Sequence, residues 1–196
     1  MSDAPIPTLT GQHLDLPDPI LYGKWLKWHL GDPAMDHRIA PLVSAFNARG
    51  FQTWGSCQGH PETFPMGTWY PWIYFGDTSD VPEHRASYRK NRPWRDKHYE
   101  LGAALHDVIE TYYSVIDMPV DEVMPTFMRL GYYGFWALVP TGCSPGGVAH
   151  RLVGRHLGIE GRVDIYERAW QEFDRFTTWM LTGEVMPVAA VTRFES

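Results

Sequence analysis

Cys57 and His60, three residues apart in the stretch TWGSCQGH from Thr53 to His60, are the pair in this chain best suited to chemistry. A thiol beside an imidazole can act as a nucleophile, because a neighbouring imidazolium lowers the thiol pKa and favours the thiolate. The same side chains are metal donors, and Cys-x-x-His is a spacing used in zinc sites. A tetrahedral site needs more ligands, however, and the chain has no second Cys-x-x-Cys or His-x-x-x-His pair. No metal ligand set is therefore predicted, although His98, His106 and Asp107 on a later helix are available completions. The spacing nominates Cys57 and His60 as catalytic residues, with Ser56, Gln58 and Gly59 as ligand contacts. The alternative for the same residues is structural, with Cys57 a small buried hydrophobe and His60 a cap for local carbonyls.

A cation for an anionic substrate comes from residues 84 to 97, HRASYRKNRPWRDK, which carry a net +5 while the rest of the chain carries −11. Arg92 and Arg95 are the candidate phosphate contacts. The segment could also be a solvated loop balancing an acidic body. A second glycine-rich turn, Thr141 to Gly147, precedes an expected helix, where amides can hold an anion. It lacks the Gly-Lys-Ser/Thr ending of a nucleotide-binding loop.

These residues need elements to hold them. Residues 1–31, with Pro5, Pro7, Pro17 and Pro19, predict an extended N-terminal arm, and residues 32–196 a single α/β domain. Asp32 as cap and Pro33 at the first position predict a helix carrying Met35, Ile39, Leu42, Val43 and Phe46 on one face and stopping at Gly50. Phe51 to Trp54 and Trp72 to Phe75 predict strands, so residues 55–71 form the loop that presents the chemistry. A long helix is expected from about Pro93 to Ser114, a central strand buried on both faces from Tyr132 to Val139, and a last helix from Asp164 to Gly183. Residues 115–131 give conflicting signals. The fold class is α/β or α+β, a single compact domain with a small central sheet covered by about four helices.

The run Asn47-x-x-Gly50, Thr53, Ser56-Cys57-Gln58-Gly59-His60, Pro71 and Phe75 resembles a pattern in uncharacterised bacterial and phage proteins. More distantly it is similar to the Ser-x-Cys-Ser-Gly-Arg loop of the wybutosine-synthesis methyltransferase family, which modifies tRNA. The resemblance covers residues 37 to 75, and His60 stands where that family has Arg. It implies that Ser56, Cys57, Gly59 and His60 line a pocket, and does not extend to methyl transfer or a methyl donor.

Composition bounds the rest. The start lacks a basic stretch leading into an apolar run, and no uninterrupted run of about eighteen apolar residues occurs, so a cytoplasmic protein without a membrane partner is expected. Two cysteines are too few for a disulfide scaffold. Nine tryptophans, ten tyrosines and nine phenylalanines exceed what a minimal core needs, so some should line a cavity or contact surface. Two classes remain open: an enzyme or small-ligand protein acting on a phosphate-bearing or nucleotide substrate at the Ser56–His60 loop, or a non-catalytic inhibitor of a protein partner, such as an anti-defence protein of a phage or mobile element. Nucleic-acid binding through Tyr88 and Trp94 conflicts with the net charge of −6. No motif names a cofactor.

Overall fold

Asp18 starts the first helix: its Oδ1 accepts from the amides of Ile20 and Leu21, and Pro19 occupies a first-turn position where the missing N–H costs nothing. Helix α1, Pro19–Leu30, therefore replaces this part of the expected extended arm; the prolines mark a helix start. The structure, a computed structural model, describes residues 13–64, 68–76, 92–116, 121–130, 135–144 and 157–185, with the side chains of 92–95 and 130 excluded.

The helix expected from Asp32 begins eight residues later, as α2, Ala40–Ala48. Pro41 explains the shift. Inside a helix begun at Pro33 it would remove one hydrogen bond and clash with the carbonyl four residues back, whereas in the first turn of α2 it does neither. Residues 32–39 instead form two successive turns, closed by Met35 N to Asp32 O at 3.0 Å and Ile39 N to Asp36 O at 3.2 Å. Gly50, at φ 88°, ends the α2 segment as its sequence indicates.

Strand β1, Thr53–Cys57, pairs antiparallel with β2, Trp72–Phe75. A bulge between Thr53 and Gly55 inserts Trp54 as an extra residue, and its ring meets Tyr74 and Phe135. Helix α3, Arg92–Val115, lies within two residues of its predicted bounds. Strand β3, Pro125–Leu130, occupies the stretch whose signals conflict, and β4, Phe135–Pro140, follows. Helix α4, Ile159–Thr182, begins five residues before the expected Asp164, which instead pairs with Arg168 at 3.7 Å. The expected stripe of Ile165, Ala169, Phe173, Phe176 and Met180 is buried throughout.

The four strands form an antiparallel sheet in the order β1-β2-β4-β3. With four helices among the described residues, the fold is a compact mixture of helix and sheet. Ile73, Phe75, Leu138 and Phe127 pack against Phe46 of α2, Leu105 and Tyr112 of α3, and Phe173 and Phe176 of α4 in one apolar cluster. On the opposite face Trp72, Tyr74, Trp54 and Phe135 are not fully buried, whereas Ala137 to Pro140 of β4 are buried on both faces as expected of an inner strand, and only its first two residues are half-buried.

Because β2 lies between β1 and β4 and is antiparallel to both, β1 and β4 run in the same direction. Their following segments, Gln58 onward and Thr141 onward, leave the same rim. Thr141–Cys143 is a short 3-10 turn, and the remainder of that glycine-rich segment and its expected helix lie outside the described residues. So do the possible strand after residue 185 and most of the basic segment.

Candidate functional site

The β1–β2 pairing extends to Cys57 opposite Trp72, so Ser56 and Cys57 belong to the strand and the loop begins at Gln58. That corrects the expectation that all five residues lie in a loop. The departure is sharp because Gly59 adopts φ 84°, a backbone region that suits glycine, and a Cβ there would lie 2.6 Å from the carbonyl carbon of Tyr70. The chain then returns toward β2: His60 N donates to Thr68 O at 2.9 Å, while His60 O accepts from Thr63 N at 3.0 Å at the short 3-10 turn Pro61–Thr63.

Two side chains of α4 hold this loop from beneath. Trp170 Nε1 donates to Gln58 O at 2.9 Å, and Arg162 Nε donates to Pro61 O at 3.2 Å. The Arg162 guanidinium also lies over Phe64, 4.9 Å from the ring centre. A fully buried tryptophan and an arginine committed to backbone carbonyls thus fix the height of the loop over the helix.

The turns between α1 and α2 deliver the residue that sequence reasoning missed. Asp36 Oδ2 accepts from Gln58 N at 3.0 Å and lies 3.8 Å from His60 Nε2. Cys57 lies beside the same carboxylate, which bears on its protonation. One donor atom from each of Asp36, Cys57 and His60 falls within 4.8 Å of the others, and all three residues are half-buried. The other ring nitrogen of His60, Nδ1, faces Glu62 Oε1 at 3.8 Å. Sequence reasoning assigned Asp36 to a helix; the turn-forming run Gly31-Asp32-Pro33 together with Pro41 is the signal that could have found it.

The electrostatics correct the expectation of an activated thiolate. Burial pushes the Cys57 thiol above its ordinary pKa, and the neighbouring Asp36 carboxylate pushes the same way. The Gly59 N–H, 3.3 Å from Sγ, opposes this without overcoming it. Burial likewise raises Tyr74, with Cys57 a second cause, so its hydroxyl stays protonated beside the thiol. An uncompensated thiolate here would face a carboxylate; a bound cation would reverse that balance.

The other nominated residues divide. Ser56 directs its hydroxyl to Met35 Sδ at 3.4 Å, and Gln58 contributes both of its backbone polar groups to holding the loop. For Arg92 and Arg95 only the course of the backbone is described. Trp136 Nε1 reaches His98 O near the start of α3, and Trp136 pairs with Phe75, which in turn pairs with Thr53. Tyr113, near the end of α3, hydrogen-bonds Pro125 O, opposite Pro140. The backbone of Arg92 and Arg95 therefore lies toward the sheet end opposite Cys57; their side chains are outside the described residues.

His98 and His106 do not complete a ligand set: His98 stacks on Trp136 at 5.8 Å and His106 meets its edge at 5.6 Å. Asp107 lies 3.6 Å from His13. Cys143 is 2% exposed and packs with Trp69, Val123, Ile165 and Ala169, the environment of a small hydrophobe.

No protein-family model, curated protein or solved structure matches the chain. No helix among the described residues is long and apolar enough to cross a membrane.

Proposed function

We propose that Asp36, Cys57 and His60 are the ligands of a mononuclear zinc centre, and that the protein is an enzyme using this centre for hydrolysis of a small-molecule substrate. The convergence of three donor atoms within 4.8 Å carries the reading. Ligand atoms around tetrahedral zinc stand roughly 3.3–3.7 Å apart, given bonds of about 2.0–2.3 Å, so modest side-chain rotations would close the set. Thiolate, imidazole and carboxylate together favour zinc over magnesium or calcium, which take oxygen ligands.

The surroundings support the same choice. With Nε2 toward the metal position, His60 would turn Nδ1 toward Glu62, the carboxylate-to-imidazole arrangement that orients metal-binding histidines. Gln58 N holds Asp36 in place, and Gly59 N is directed at the sulfur. A zinc ion with three protein ligands keeps a fourth position for water, whose proton it makes labile near neutral pH. Cys57 must release its proton to bind, so affinity should fall as pH is lowered.

Equilibrium dialysis against zinc at neutral pH should give one ion per chain. Asp36→Asn, Cys57→Ser and His60→Ala should each weaken binding by roughly tenfold or more while leaving the circular dichroism unchanged. Cobalt should produce a thiolate charge-transfer absorption that Cys57→Ser lacks. Absence of stoichiometric binding, or an identical cobalt spectrum in Cys57→Ser, overturns the reading.

A further inference from the structure

We infer that Arg38 is the substrate-anion contact of this centre, and that the substrate is a small molecule bearing an oxyanion, a phosphate ester or a carboxylate. The inference rests on the zinc reading and deepens it. Arg38 lies two residues beyond Asp36 in the second turn before α2, and its guanidinium sits over Trp170, 4.5 Å from the ring centre. Trp170 is hydrogen-bonded to Gln58 O, and Gln58 N is bonded to Asp36. Gln58 thus links Asp36, through its N–H, to the Trp170–Arg38 stack, through its carbonyl.

The manner in which Arg38 is held distinguishes it from the other arginines whose side chains are described. Arg49 donates to the carbonyls of His13, Leu14 and Met180. Arg162 donates to those of Pro61 and Leu157, at 3.2 and 2.7 Å. Arg168 binds Asp121 at 2.7 Å, and Arg175 contacts both oxygens of Glu172 at 2.9 Å. Arg129 lies over Tyr99 at the other end of the sheet, opposite Trp136.

Arg38 is positioned mainly by ring faces, Trp170 and, at 5.5 Å, Tyr166. Its two polar contacts are at the long limit: 3.5 Å to Tyr166 Oη and 3.4 Å to Glu167 Oε2. Charge-assisted bonds to a carboxylate are ordinarily about 2.7–2.9 Å. Stacking fixes the plane of the guanidinium while leaving its edge donors for an anion, a mode in which arginine recognises phosphate and carboxylate. The side chain is 36% exposed, so an incoming anion can reach it.

Glu167 is then a resident competitor. An oxyanion bound at the Arg38 guanidinium would displace that long contact, and removing the Glu167 charge should favour the anion. Asp174, whose carboxyl is raised by burial and by Glu167 but lowered by Arg38, lies in the same charge group.

The test is calorimetric titration of the zinc-loaded full chain with inorganic phosphate and, separately, with acetate. Arg38→Gln should weaken binding roughly tenfold or more, Arg38→Lys should lose part of it because the fork is gone, and Glu167→Gln should strengthen it several-fold. Zinc affinity should be unchanged in all three. Preference for phosphate over acetate identifies a phosphate ester, and the reverse a carboxylate. Zinc binding with no anion binding, or with equal anion affinity in Arg38→Gln and wild type, overturns the inference and leaves the zinc reading standing. A chain that takes no zinc overturns both.

Discussion

Gly59 shows how one residue without a side chain can set the geometry of three that have one. Its φ of 84° and its approach to the Tyr70 backbone let the chain leave β1 sharply enough for His60 to face Asp36 while Cys57 remains paired in the sheet. Gly59→Ala should cost about 1–3 kcal/mol, from the strained backbone and from the shift the new methyl would demand. Urea denaturation would register this as a lower midpoint, and zinc titration as weakened binding. Wild-type values in both would mean that the turn tolerates a side chain and does not set the site. The Cys57 and His60 pair itself was legible, because a thiol and an imidazole on either side of Gly59 are conspicuous. Their electrostatic setting was not: the Asp36 carboxylate that raises the Cys57 thiol is distant in sequence, and spacing carries no information about it.

At the scale of elements, strands and helices with strong periodic signals were readable, and the connectors were not. β2 spans the predicted residues, α3 differs by one residue at each end, and the α4 stripe is buried as its 3.6-residue period requires. The segment from 32 to 39 was misread because Asp32 and Pro33 look like a helix start, while Pro41 forbids continuation. That local error concealed both Asp36 and Arg38, which the two turns aim at the β1–β2 hairpin and at α4. The charged run at 84–97 drew attention to Arg92 and Arg95, whose backbone opens a 24-residue helix and whose side chains lie outside the described residues. The contact between α4 and the loop can be tested at Trp170. Trp170→Phe would retain an aromatic face for Arg38 but lose the bond to Gln58 O. A loss of about 2 kcal/mol from packing and the missing donor, with zinc affinity reduced several-fold, is expected in thermal melts and dialysis. Unchanged zinc affinity would show that the loop does not depend on this attachment.

Across the whole molecule, buried imidazoles couple folding to acidity. His29 is 2% exposed beneath Trp25, and its Nδ1 lies 2.8 Å from Ser44 Oγ. Since the Ser44 hydroxyl donates to Ala40 O, the His29 Nδ1–H is the donor in that contact. Burial lowers His29 to about 4, against a smaller opposing effect of Asp32, and lowers His98 to about 4, with Arg129 adding to the effect. Below pH 6.5 the unfolded chain takes up protons that the folded chain refuses, so stability falls with pH through this range and down to about 4. The loss approaches roughly 3 kcal/mol for each imidazole at the lower end. Urea midpoints should therefore drop between pH 7 and 4.5, and His29→Gln should flatten the slope; a pH-independent midpoint would refute the coupling. The placement of Asp36 has a different consequence. It belongs to the connector before α2, whereas Cys57 and His60 belong to the hairpin beyond it, so an ion shared by the three would act as a removable rivet between two stretches of chain. Occupancy and foldedness would then be linked quantities, with resistance to unfolding rising as the supply of free zinc increases.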